Sequence, residues 1–299
     1  MTQPDFSTLI SGYSFLEGPR WHDNRLWLSD FYLKQVIAVD PDGGVEVIAQ
    51  VPGQPSGLGW LPDGRLLIVS MTDRKLLRQE KDGSLAVHAD LSEVAGGHAN
   101  DMVVDTQGRA YVGNFGFDLM AGEPLQTARL ARVEPDGTVR VAAEDLYFPN
   151  GSMITPDGQT LIVNETFANR ISAFDIRKDG SLGSRRDWAV FGPIPRGREL
   201  AEVIPQAKVA ADGGVLDAEG AVWLADAIGN RALRVAEGGR ILDEFSTGDH
   251  GVFACTLGGE NRQTLYLCVA PDFAEHSRKA GREAAIWAVD VDVPGAGLP

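Results

Sequence analysis

HANDMVVDTQGRAYVGNF, His98 to Phe115, carries in eighteen residues the pattern from which the architecture of the chain follows. A short apolar segment (Met102 to Val104), a Thr-Gln-Gly turn and a second apolar segment around Tyr111 and Val112 form a β-hairpin signature. Packing does not explain the polar Asn100 directly ahead of the first segment. The arrangement recurs as NGSMITPDGQTLIVNET from Asn150, DGGVLDAEGAVWLADA from Asp212 and SGLGWLPDGRLLIVSM from Ser56. EGPRWHDNRLWLSD, from Glu17, has the same shape with a shorter turn, and GVFACTLGGENRQTLYLCVA, from Gly251, is a weaker sixth copy.

Aligned on their lead residues, the units are spaced by 39, 44, 50, 62 and 39 residues. After each hairpin comes a second pair of alternating segments around another turn, as in QVIAVDPDGGVEVIAQV and ARLARVEPDGTVRVAAEDL. Two hairpins per repeat of about 40–50 residues make a propeller blade. The expected fold is therefore all-β: a six-bladed β-propeller with four antiparallel strands per blade. It is read as a single domain over residues 1–299, with its core about 15–292. The last segment, AAIWAVDVDV, is expected to close the ring against the N-terminal strand.

Composition narrows the function. A formal charge of −15 argues against nucleic acid or an anionic membrane surface as partner. Two cysteines, Cys255 and Cys268, are no disulfide framework, and Cys255 reads as an inert buried thiol. The N-terminal stretch lacks a basic region followed by a long apolar one, and no apolar run is long enough to span a membrane. The expectation is a cytoplasmic protein acting on a small molecule. Trp21, Trp60, Trp223 and Trp287 fall at strand positions and read as packing between blades.

The innermost strand of each blade starts near the central channel, so the leads Glu17, Asn100, Asn150 and Asp212 should meet in one small volume. Two carboxylates and two carboxamides form an oxygen-rich site suited to a hard divalent cation, Ca²⁺ first, with Mg²⁺, Mn²⁺ or Zn²⁺ as alternatives. Asn-Gly and Asp-Gly are also plain turn signals. The plain turns, such as Pro156-Asp157-Gly158 and Ala218-Glu219-Gly220, nevertheless lie several residues further on, at a separate position of the repeat. His98, ahead of Asn100, is a candidate for substrate contact, against the ordinary reading of a structural histidine. Asp101 either hydrogen-bonds across the pocket or stabilises a turn. Two long connections, Gly116–Ala128 and Gly192–Ala210, stand out, and the second reads as a lid over the active face.

These motifs carry a resemblance. EGPRW (Glu17–Trp21), NDMVVD (Asn100–Asp105), PNG (Pro149–Gly151) and ADGGVLDAEGAVWLADA (Ala211–Ala227), in order and one per blade, resemble the regucalcin/gluconolactonase family, also called luciferin-regenerating-enzyme-like propellers. The resemblance implies a divalent metal on Glu17, Asn150 and Asp212, with Asn100 beside it touching substrate or water. It also implies lactone-ring opening, with organophosphate hydrolysis as the related alternative and a non-catalytic Ca²⁺-binding or partner-binding propeller as the rival. On the lactonase reading Asp212 is the general base, with His98 or Asp101 sharing the role, and Asn100 orients the water or carbonyl. Sugar-lactone members often carry Arg where this chain has His98, which points to a less hydroxylated substrate. Gly213-Gly214 follows Asp212 where the family usually has one Gly and a larger residue, which widens the pocket floor.

Overall fold

Residues 4–297 are described by a computed structural model. Six four-stranded antiparallel sheets are arranged as the blades of a propeller. In blade 1, β2 (Leu16–His22), β3 (Arg25–Asp30), β4 (Gln35–Val39) and β5 (Val45–Gln50) run outward in sequence order. Blade 2 repeats this with β6 (Pro55–Trp60), β7 (Leu66–Ser70), β8 (Lys75–Gln79) and β9 (Leu85–Asp90). Blade 3 is built from β10 (Ala99–Val104), β11 (Ala110–Asn114), β12 (Ala128–Val133) and β13 (Val139–Leu146). Blade 4 has β14 (Pro149–Ile154), β15 (Thr160–Glu165), β16 (Arg170–Asp175) and β17 (Arg186–Val190). In blade 5 they are β18 (Ala211–Leu216), β19 (Val222–Asp226), β20 (Arg231–Val235) and β21 (Ile241–Ser246).

Blade 6 takes strands from both ends of the chain. β22 (Gly251–Gly258), β23 (Thr264–Ala270) and β24 (Ala284–Asp290) are completed by the N-terminal β1 (Ser7–Tyr13), with Thr8 opposite Trp287 and Ile10 opposite Ile286. This is the closure expected from AAIWAVDVDV, and it leaves no open edge between first and last blade. The extreme residues of the expected 1–299 domain lie outside the described residues.

Apolar side chains of neighbouring blades pack face to face. Leu67 and Val69 of blade 2 share a core with Met102 and Val112 of blade 3, and Ile162 and Ile171 of blade 4 share one with Leu224 and Leu233 of blade 5. Burial of each such side chain contributes about 1.5–3 kcal/mol. The tryptophans lie where the alternation put them. Trp21 stacks on Tyr266 of blade 6 at 5.8 Å, and Trp60 meets Trp27 of blade 1 edge-on at 5.3 Å. Trp223 and Trp287 join the core between blades 5 and 6.

Every inner strand carries a one-residue bulge at its start. In β2 the pairing slips between Glu17 and Arg20, in β10 between Ala99 and Met102, and in β14 between Asn150 and Met153. β6, β18 and β22 slip at the equivalent place. A bulge frees the extra residue from the ladder and re-aims its side chain, which is how polar leads face the axis on strands whose other residues pack between blades. The leads are the second residues of β2, β6, β10, β14 and β18, and by the same rule the sixth is Val252, one residue beyond the Gly251 expected from sequence. The glycines that follow some leads serve close approach: a methyl group on Gly18 (φ +57°) would lie 2.7 Å from the Ser56 carbonyl oxygen, and one on Gly151 (φ +34°) 2.3 Å from that of Asp212.

A second recurring position holds the leads in place. The last residues of β3, β11, β15 and β19 are Asp30, Asn114, Glu165 and Asp226, all buried. Each accepts a backbone N–H from the segment entering its own inner strand: Ser14 to Asp30 (3.0 Å), Gly96 to Asn114 (3.3 Å), Tyr147 to Glu165 (2.8 Å) and Ala210 to Asp226 (2.9 Å). Asp30 also accepts the N–H groups of Tyr32 (3.2 Å) and Leu33 (3.1 Å) and the Ser14 hydroxyl. Asp30→Ala leaves these donors without their partner inside the fold, so a loss on the order of 3 kcal/mol is expected in chemical denaturation. A loss below about 1 kcal/mol would show that water or a neighbour replaces the carboxylate.

Candidate functional site

Glu17, Asn100, Asn150 and Asp212 line one cavity at the mouth of the channel, about 770 Å³ with its open mouth included. All four are 4–9% exposed. They come from blades 1, 3, 4 and 5, so the convergence of the leads is a property of the observed fold. The blade 2 lead, Ser56, is buried beneath them and donates its hydroxyl to Asn100 Oδ1 at 3.1 Å. Ser29 in turn donates to the Ser56 carbonyl at 2.6 Å. The Asn100 amide is thereby fixed with its nitrogen free to donate.

Asn150 Nδ2 donates to Asp212 Oδ1, and Asn150 Oδ1 accepts the Gly151 N–H at 2.9 Å. Glu17 Oε2 accepts the Gly18 N–H at 2.9 Å. Thr166, just past β15, lines the same cavity and donates to the Ala211 carbonyl at 3.0 Å. Asn164 Nδ2 donates to the Asp212 carbonyl. Neither of these two stands out in the sequence by a motif of its own, although Asn164 and Thr166 flank Glu165 at the strand end that recurs in each repeat.

The electrostatics are those of buried anions. Burial first, then the Asp212 carboxylate, push the Glu17 carboxyl well above the usual range, against the pull of the Gly18 N–H and Arg20. Burial and then Asp101 do the same to Asp212. Among the described residues no group of three His, Cys, Asp or Glu side chains gathers around a metal-sized space; the donor set is instead two carboxylates and two carboxamides. Buried like charges of this kind are costly unless a cation neutralises them, and oxygen donors are the chemistry hard divalent ions take. The residues present fit such an ion.

Asp101 lies outside the cavity lining. Its Oδ1 accepts Arg20 Nη2 at 2.6 Å, and that same nitrogen donates to the Met102 carbonyl at 2.6 Å. Asp101 follows the lead directly, so the bulge sends its side chain elsewhere, and the guanidinium of blade 1 holds it there. Of the two alternatives expected from sequence, a hydrogen bond across the pocket and a turn, the structure has a hydrogen bond between blades, made to Arg20 outside the cavity lining. His98 is also absent from the lining: it is half-buried, its ring 5.6 Å from Phe115, and burial lowers its pKa, so it is neutral at neutral pH. Cys255 is buried beside the anions, and burial followed by Glu17 and Asp212 pushes its thiol far up, as suits an inert group.

Aromatic rings form the wall above this floor. Phe15 meets Phe31 at 5.3 Å and Phe253 at 4.8 Å, while Phe148 meets Phe115 at 4.5 Å and Phe167 at 5.5 Å. The connection expected to be a lid contains α1 (Leu200–Val203) and a 3₁₀ turn (Ile204–Gln206), and Leu200 and Ile204 line the cavity. Asn169 of blade 4 ties this segment down, donating to the Pro193 (2.9 Å) and Gln206 (3.2 Å) carbonyls and accepting the Lys208 N–H (2.6 Å). The Leu125 N–H donates to the Arg198 carbonyl at 2.6 Å, joining the two long connections. A third rim segment, Pro271–Gly281, carries Phe273 and α2 (Glu275–Ala280).

Over residues 15–271 the chain matches the family described as SMP-30/Gluconolactonase/LRE-like region, and it belongs to that family. It is 24% identical to 6-deoxy-6-sulfogluconolactonase of Pseudomonas putida, covering 95% of this chain and 93% of the relative. It is 25% identical to pentonolactonase XacC of Haloferax volcanii, covering 93% and 91%. A calcium-binding regucalcin from Agrobacterium tumefaciens shares the fold with a TM-score of 0.80 at 20% identity, covering 99% of this chain and 97% of that one. Among the described residues no helix is long and apolar enough to cross a membrane.

Proposed function

We propose that the protein hydrolyses a lactone, opening the ring to a hydroxy acid at the floor of the axial cavity. The observation that carries this reading is the meeting of Glu17, Asn100, Asn150 and Asp212, from four blades, under a water-excluding wall in a chain of this family. Glu17, Asn150 and Asp212 are the residues that would hold a divalent cation, Ca²⁺ before Mg²⁺, Mn²⁺ or Zn²⁺. When bound, such a cation supplies Lewis-acid polarisation of the lactone carbonyl and charge stabilisation of its developing oxyanion.

The chain's own groups do the rest. The Asp212 carboxylate accepts a proton from the attacking water, whose oxygen bonds to the carbonyl carbon. The bond from that carbon to the ring oxygen then breaks, and the ring oxygen leaves as a hydroxyl by taking up that proton. Asn100, held by Ser56, offers its amide N–H₂ to orient the water or the carbonyl. The phenylalanine wall keeps bulk water away and strengthens each electrostatic contact inside.

The test is proton release over a panel of lactones, with a phosphotriester included, using protein stripped of metal and then resupplied. Metal-restored lactone opening is the expected result. Silence on lactones with turnover of the phosphotriester would move the site to the related reaction. The cation part has its own readout: at a free Ca²⁺ concentration 100 times Kd, the folded state should gain about 2.7 kcal/mol, read as a higher melting temperature than in chelator. No shift with any of the four ions would remove the metal-holding role from Glu17, Asn150 and Asp212.

A further inference from the structure

Resting on the lactonase reading, we infer that the substrate is a lactone bearing an apolar arm, an alkyl chain or aryl group, rather than a polyhydroxylated sugar lactone. The inference comes from the wall. Above the floor cluster of Glu17, Asn100, Asn150, Thr166 and Asp212, the cavity lining contains one further polar side chain, the phenol of Tyr32. No Arg, Lys, Ser, Gln or His side chain is in the lining.

A sugar lactone presents a hydroxyl on nearly every ring carbon. Binding it here would strip those hydroxyls of water and set them against phenylalanine rings, without partners for most of them. Each buried, unpartnered hydroxyl weakens binding severely. A ring with its carbonyl on the floor and an apolar arm along the wall meets no such penalty.

The rim extends the apolar surface outward. Leu119 and Met120 come from the Gly116–Ala128 connection, Leu200 and Ile204 from the lid, and Phe273 from the third rim segment. Met120 is 39% and Phe273 50% exposed, and both belong to the cavity lining, so they carry its apolar surface out to solvent. Three connections from different blades thus place apolar groups at one mouth, and the hydrogen bond from Leu125 to Arg198 holds two of them together.

The experiment uses the metal-resupplied protein and two matched ladders: δ-lactones with no arm, a propyl arm and a hexyl arm, and the corresponding non-hydrolysable δ-lactams, alongside a polyhydroxylated sugar lactone. For the lactones kcat/KM should rise about threefold to fourfold per methylene buried until the arm fills the cavity, and lactam affinity should rise in parallel. Phe273→Ser and Met120→Ser, both at exposed positions, should flatten that dependence for the longest arm. Preference for the sugar lactone, or a flat response to arm length with turnover intact, overturns the inference and leaves the lactonase reading standing. Lactams that bind more tightly with arm length while no lactone is hydrolysed overturn the lactonase reading and keep the apolar ligand class. Neither turnover nor lactam binding overturns both.

Discussion

Asp212→Asn is expected to lower kcat by on the order of 10³-fold while leaving the metal-free protein at least as resistant to heat as the unsubstituted one. Two opposite effects on one side chain follow from its position. In its proposed role as proton acceptor for water, the carboxylate cannot be replaced by an amide, which has no basicity near neutral pH. As a buried anion beside Glu17 and Asp101, the same carboxylate strains the fold. The amide keeps an oxygen to accept from Asn150 and removes one charge from the cluster. The proposed calcium-induced rise in melting temperature should shrink at the same time, because the proposed ligand has lost its charge. A variant that retains more than about a tenth of the turnover would take the base role from Asp212, and one that melts well below the parent without metal would show that the Asp212 carboxylate stabilises the metal-free fold.

The propeller and the meeting of the leads were legible in the sequence because both depend on local periodicity. Strand alternation, turn residues and the spacing of the leads are set within one repeat, and ring closure turns one repeat position into one place in space. What was not legible depends on contacts between repeats. The clamp residues Asp30, Asn114, Glu165 and Asp226 recur as regularly as the leads, in LWLSD, AYVGN, LIVNE and VWLAD, yet a polar residue at a strand end looks like the start of a turn. Their role emerges only when the backbone entering the inner strand is seen to donate to them. The partner of Asp101 was not legible, because alternation alone cannot foresee a bulge and Arg20 lies 81 residues away. The aromatic wall is assembled from single residues on many connections, none with a motif of its own. The sixth lead slipped from Gly251 to Val252 because that blade has no polar residue at the position to mark the register.

Arg20→Met should cost about 3–5 kcal/mol of stability, the price of leaving a buried carboxylate without its partner. Arg20 is 7% and Asp101 5% exposed, and the pair links blade 1 to blade 3 across the inner strand of blade 2. Below it is a second, smaller cavity, lined by Arg20, Ser152, Leu216, Thr256 and Ala296. The C-terminal segment closes over that end, with the Ala296 N–H donating to the Leu216 carbonyl at 3.0 Å. Arg20 is thus the cation set between the acidic floor above and the plugged end of the channel below, and its charge favours the ionised form of Glu17. If the loss comes from the orphaned charge, Arg20→Met combined with Asp101→Asn should recover most of it, and a double variant as unstable as the single one would assign the effect to lost packing of the arginine stem instead. Removing Arg20 also leaves the floor one positive charge poorer, so Ca²⁺ should bind the single variant more tightly and restore part of its lost stability. The double variant, with that charge balance returned, should bind Ca²⁺ about as the unsubstituted protein does. Calcium affinity and denaturation midpoints measured on the same three proteins therefore separate the electrostatic role of Arg20 from a purely structural one.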